Sequence, residues 1–183
     1  MTEKPNLYIE DPHFVKPRKF LPDDRYAEAM EALVIVCADV MFINRDRRTV
    51  LLVWRRAKPL PGWWFIGGRI YAGEEERHGA GRVMERETKL SVAPERLAFL
   101  NMHRYICAER EQNPQHVGSD TLAYMFAVEL TDEERSVTAR HLDQNEYDGS
   151  KGLREFSRRD LVEEKVHPAV VDAYDRLFGS PTT

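Results

Sequence analysis

Apolar and polar positions alternate along the chain in blocks of changing period, and the changes mark the elements. Leu33 to Ile43, LVIVCADVMFI, is an almost unbroken apolar and β-branched run, which predicts a strand buried on both faces. Asp39 interrupts it. Asn44-Arg45-Asp46-Arg47 supplies turn residues and Thr49 to Trp54 resumes the β-branched pattern, so the two runs predict a hairpin. Leu97 to Ala108 and Leu122 to Leu130 predict two more strands around the polar loop EREQNPQHVGSD, which is long enough to carry specificity.

Helical signals fill the spaces between these runs. Leu21-Pro22-Asp23-Asp24 has the cap chemistry of a helix start, and good helix formers continue to about Met30. Thr131-x-x-Glu134 and Ser157-x-x-Asp160 are capping boxes, and His167-Pro168 opens an amphipathic helix to Phe178. Lys58 to Gly62, KPLPG, predicts a stiff loop. Residues 1–20, with Pro5, Pro12 and Pro17 among mixed charges, predict an irregular arm ordered against a partner surface. Residues 21–180 then form a single domain of α/β (α+β) class, a mixed sheet flanked by helices.

Composition narrows the partners. At 183 residues, 42% hydrophobic and 32% charged, the chain suits one globular domain. A net charge of −4 argues against a nucleic-acid-coating surface, whereas a small phosphorylated ligand needs only a few local arginines. Cys37 and Cys107 lie in apolar strands without a CxxC or His-rich setting and are expected as buried free thiols in a reducing compartment. With no apolar leader and no run of about 20 apolar residues, a soluble, cytoplasmic protein that meets no membrane is expected.

Candidate chemistry concentrates between Gly62 and Leu90, GWWFIGGRIYAGEEERHGAGRVMERETKL. On a helix over residues 75–90, Ala80, Val83, Met84 and Glu87 fall on one stripe, so Glu87 points inward beside apolar side chains. A buried carboxylate needs compensation, from a divalent cation on an oxygen-rich site or from an arginine. Gly79 and Gly81 each cost a helix about 1 kcal/mol against alanine, and close packing on the sheet would account for them. Glu74 and Arg82 stand two helical turns apart with opposite charge and suit a structural ion pair.

From Gly68 the spacing runs five residues to Glu74, seven to Arg82, then Glu87 and Leu90. This resembles the box of the Nudix hydrolases, and the resemblance implies a mixed sheet sandwiched between helices over residues 21–178. Val83, Arg86 and Lys89 replace two of the box's clustered glutamates and its closing glycine, leaving Glu87. In these losses the chain is similar to the GDP-mannose mannosyl hydrolase branch. Arg55, Arg69, Arg82, Asp39, His103 and Tyr124 match functional positions of that branch, as catalytic residues or, for Arg55, Arg69, Asp39 and Tyr124, as substrate contacts. The Gly67 carbonyl, Glu87 and Gln144 match its metal ligands.

The resemblance therefore implies a hydrolase of a nucleoside diphosphate sugar, GDP-mannose or GDP-glucose. Water attacks the anomeric carbon, and one Mg²⁺ per subunit (alternatively Mn²⁺) with arginines steadies the departing diphosphate. A homodimer is implied as well. Asn145 stands where the branch has its general-base histidine, and an amide cannot take a proton. Asp143, Glu146, His141 and His116 are the candidate replacements. WWFIGG also lacks the branch's usual proline before the glycine pair. Two other functions are open: pyrophosphate cleavage of a nucleoside diphosphate derivative, and noncatalytic binding of a nucleoside diphosphate.

Overall fold

The apolar run around Asp39 becomes the central strand, β1 (Ile35–Asn44), in a computed structural model that describes residues 5–11 and 13–180. Residues 1–4, Pro12 and 181–183 lie outside the described residues. β1 pairs antiparallel with β2 (Thr49–Arg55) from Phe42↔Leu51 to Asn44↔Thr49, which is the expected hairpin. On its other side β1 runs parallel to β6 (Ser119–Glu129), and β5 (Ala98–Cys107) lies antiparallel to β6 at the edge. Three short strands, β3 (Gly62–Trp64), β4 (Ile66–Arg69) and β7 (Leu153–Phe156), complete a seven-stranded mixed sheet.

Alternation along β1 serves two cores. Ala38, Val40 and Phe42 pack with Ala80, Val83 and Met84 on one face of the sheet, while Met41 and Ile43 pack with Leu161, Val170 and Ala173 on the other. The first core lies under helix α2 (Glu76–Thr88) and the second under α4 (Arg158–Glu163) and α5 (Pro168–Phe178). A strand covered on both faces gains nothing from polar alternation, which is why its sequence reads as a continuous apolar run.

Both capping boxes form. Thr131 caps α3 (Asp132–His141) with Glu134 reaching back, and Ser157 caps α4 through Asp160. Helix α1 (Asp23–Ala32) starts differently from the expected cap: Pro22 holds the cap position without a side-chain bond, and Asp23 and Asp24 fall in the first turn, where the helix dipole favours them. Gly79 differs too. A methyl there would lie 3.2 Å from a Glu74 carboxylate oxygen, so the close approach is to the preceding loop and not to the sheet. Described residues 5–11 and 13–20 carry no helix or strand, and the arm rests on its own chain, with Phe20 edge-on to Tyr71 at 5.2 Å. Cys37 and Cys107 are free and half-buried, and burial pushes the Cys37 thiol up to about 12.

Candidate active site

β4 takes the place of β2 beside the first half of β1, pairing from Cys37↔Arg69 to Val40↔Ile66. Where the two strands part, a cavity of about 260 Å³ opens, walled by Asp39, Arg55, Gly67, Arg69, Arg86 and Tyr147 among others. Asp39 reaches it from β1 and is 6% exposed. Burial pushes its carboxyl up to about 7, with the charge of Glu87 adding to the rise and Arg55 opposing it.

Each cavity arginine has a distinct mount. Arg55 ends β2, where a bridge to Tyr147 and the Arg56 N–H donating to the Glu146 carbonyl at 2.9 Å hold the strand end. Its Nη2 donates to the Lys58 carbonyl at 3.2 Å, while its buried Nε has no hydrogen-bond partner among the described residues. Arg69 lies with its guanidinium 4.3 Å from the centre of the Tyr26 ring, a cation–π contact that fastens β4 to α1. Arg86 comes from α2, its Nη2 within 3.2 Å of where a side chain on residue 68 would begin.

Glu87 lies beneath these groups at 1% exposure. One carboxylate oxygen accepts from Arg86 Nη2 and the other from the Tyr147 hydroxyl. Burial raises its pKa, and the Tyr147 hydrogen bond and the Arg86 charge counter that rise. Arg86 thus supplies one of the two compensations open to an inward Glu87.

The remaining candidates sit elsewhere. Arg82 grips Glu74 through Nε and Nη2, both at 2.7 Å, and donates to the Arg69 carbonyl at 3.0 Å. Glu74 also accepts from the Tyr71 N–H at 2.9 Å, so the pair ties the loop after β4 to α2, away from the cavity wall. His103 faces α5, bonded to Asp172 at 2.9 Å and to the Tyr105 hydroxyl at 3.1 Å. Tyr124 packs on Phe99 with ring centres 6.2 Å apart, against the first core. Gln144 is close to Glu87 in backbone, since the Asp143 N–H donates to the Glu87 carbonyl at 2.9 Å, but its side-chain amide donates to the Leu142 carbonyl at 2.9 Å. The Asn145 amide is bonded to Asp143 at 3.1 Å.

Two wall residues had no sequence signal. Tyr147 arrives from a segment 60 positions beyond its partner Glu87. Arg110, fully buried in the loop between β5 and β6, donates to the Ala27 carbonyl at 3.2 Å, the Gln112 carbonyl at 3.1 Å and the Glu31 carboxylate at 2.7 Å. It locks that loop to α1 over the cavity.

The sequence model of the NUDIX domain matches residues 35–177, from β1 to the last turns of α5, and the chain belongs to the Nudix family. Solved structures share the fold. The MutT NUDIX hydrolase from Burkholderia pseudomallei is 18% identical, with a TM-score of 0.60 over 79% of this chain and 98% of that one. A NUDIX hydrolase from Nitrosomonas europaea is 16% identical, with a TM-score of 0.56 over 79% and 88%. The E. coli dihydroneopterin triphosphate pyrophosphohydrolase is 15% identical, with a TM-score of 0.54 over 79% and 97%. No curated protein matches the chain.

Nudix hydrolases generally use a divalent metal such as Mg²⁺. The donors here do not suit one as arranged. Among the described residues no group of three or more His, Cys, Asp or Glu side chains is placed to hold an ion, both oxygens of Glu87 are engaged, and the Gln144 amide is turned to Leu142. Among the described residues, no helix is long and apolar enough to cross a membrane.

Proposed function

We propose that this Nudix protein binds a nucleoside diphosphate sugar in the cavity and hydrolyses its glycosyl bond. The observation that carries the reading is the convergence of Arg55, Arg69 and Arg86 on one cavity that also holds the Asp39 carboxyl. Three guanidiniums match the charge of a diphosphate and can stabilise the charge that grows on it as a leaving group. Val83 and Arg86 stand at box positions where carboxylates would otherwise assemble metal for attack at phosphorus, and attack at carbon has no need of them.

In this reaction the sugar C–O bond breaks and its electron pair passes to the diphosphate. Water supplies the new hydroxyl, and Asp39, one of three carboxyl residues in the cavity wall with Glu111 and Glu146, is placed to accept the water's proton. GDP-mannose or GDP-glucose is the substrate that the box resemblance favours. No step is routed through a divalent metal, because both oxygens of the Glu87 carboxylate are already held, by Arg86 and by Tyr147. A cytoplasmic homodimer belongs to the same reading, and small-angle scattering would measure the dimer.

A specific observation favours a second reading, noncatalytic binding: the Asn145 amide stands at the base position and is occupied by Asp143. Incubation with GDP-mannose in ¹⁸O-water separates the cases by mass spectrometry. Label in the sugar supports glycosyl cleavage, and label in phosphate would replace it with pyrophosphate cleavage. Binding without turnover across a panel of nucleotide sugars supports the binder.

A further inference from the structure

We infer that Arg86 is the resident cation of this site, so that a diphosphate binds here without a divalent metal. The inference rests on the diphosphate reading above and adds how its charge is met.

Position is the first argument. Arg86 Nη2 contacts the Glu87 carboxylate, lies against the backbone of Gly68 and lines the cavity beside Gly67. Gly67 and Glu87 are the positions that the family resemblance assigns to a metal. The guanidinium reaches them because residue 68 is a glycine: a methyl there would press on Arg86 Nη2 at 3.2 Å and on Val83 Cγ2 at 3.3 Å. Val83 itself adds only apolar surface where a carboxylate would have drawn in metal.

Charge is the second. Arg86 Nη2 is ion-paired with the Glu87 carboxylate, and a guanidinium keeps its charge throughout the working pH range. A divalent ion entering beside Glu87 would have to displace a tethered cation that is already in contact, and would then face its positive charge at short range. Tethering also means that Arg86 is present at full local concentration, with no binding equilibrium of its own.

Unfilled capacity is the third. The Arg86 side chain is 47% exposed, so the guanidinium touches Glu87 on one side and remains open on the other. Arg55, in the same cavity wall, carries a buried Nε without a hydrogen-bond partner among the described residues, and a buried donor left in that state is costly. An acceptor-rich anion in the cavity would meet the open side of Arg86, with Arg55 in the same wall. A diphosphate oxygen has the right chemistry, and a planar guanidinium can engage two such oxygens at once.

Isothermal titration calorimetry of the full chain with GDP and with inorganic pyrophosphate, in EDTA and again in excess Mg²⁺, tests this. Dissociation constants in EDTA should lie within about twofold of those in Mg²⁺. Arg86→Gln should weaken binding in EDTA roughly 10- to 100-fold, the worth of a hydrogen bond to a charged group, while Arg86→Lys keeps most of it. Binding that appears only with Mg²⁺ would overturn the resident cation and leave the diphosphate reading standing. No binding in either buffer would overturn both. Should Arg86→Gln fail to fold, the wild-type comparison still decides. Mn²⁺ electron paramagnetic resonance on the ligand-free wild type is an independent check, and a bound Mn²⁺ signal there would contradict the inference.

Discussion

Gly67 stands directly opposite Asp39 across the β1–β4 pair, so close that a methyl on residue 67 would lie 2.1 Å from an Asp39 carboxylate oxygen. The glycine is what allows the carboxyl to lie flat against the neighbouring strand at the cavity wall.

Gly67→Ala should therefore displace Asp39 or part β4 from β1. The expected cost is about 1–3 kcal/mol, typical of an overpacked core site. Thermal denaturation should show the loss, and calorimetry should show ligand affinity falling with it. Unchanged melting and affinity together would mean that residue 67 has room for a side chain.

Asp39 has an ordinary value of 3.8 and a folded value of about 7. The native state holds its proton more tightly, so the stability this group contributes is fully present below about 3.8 and is lost as pH rises through about 7. Asp39→Asn keeps the shape and removes the ionisation. Between about pH 4 and pH 8, stability should shift in the variant's favour by a few kcal/mol relative to wild type. Urea denaturation of both proteins across that range measures it, and parallel pH profiles would mean that Asp39 is ionised in the fold near neutrality.

Arg82 is expected to act on stability and not on catalysis, since its guanidinium closes on Glu74, whose side chain is 4% exposed. Arg82→Ala leaves that carboxylate without its main partner and should cost roughly 3 kcal/mol. Arg82→Lys should recover only part, because an ammonium cannot reproduce the two-point grip. Melting curves and kcat, measured together, decide the role. A large fall in kcat with unchanged melting would place Arg82 in the reaction.

Lys89 ends α2 with φ 58°, in the left-handed region that side chains resist. Lys89→Gly relieves that strain against a smaller entropic cost, and a gain of about 0.5–1 kcal/mol is expected. A melting temperature that stays level or falls would show that the weak bond from Lys89 Nζ to the Arg86 carbonyl, 3.3 Å, matters more than the backbone.

Much of the fold was legible because its signals are local. The Leu33–Ile43 run, the two capping boxes and the inward stripe of α2 each depend on neighbours within a few positions, and each formed. β3, β4 and β7 were not legible, because three or four residues carry too little periodicity and the strands exist through pairing with β1 and β2. The candidate site divides in the same way. Asp39, Arg55, Gly67 and Arg69 meet at one cavity, while His103 and Tyr124 lie on strands whose register turns them to Asp172 and Phe99.

The Nudix frame and the residues that replace its carboxylates are written in the order of amino acids, because spacing along one helix is a local property. What those replacements touch depends on packing between distant segments. Arg86 could have faced solvent as any helix arginine does. It instead closes on Glu87 and Gly68 because β4 passes within reach of α2 and Tyr147 arrives from a distant segment to take the other carboxylate oxygen. Burial then requires that the charge be matched in place, and the matching partner was fixed by packing among elements that sequence order keeps apart.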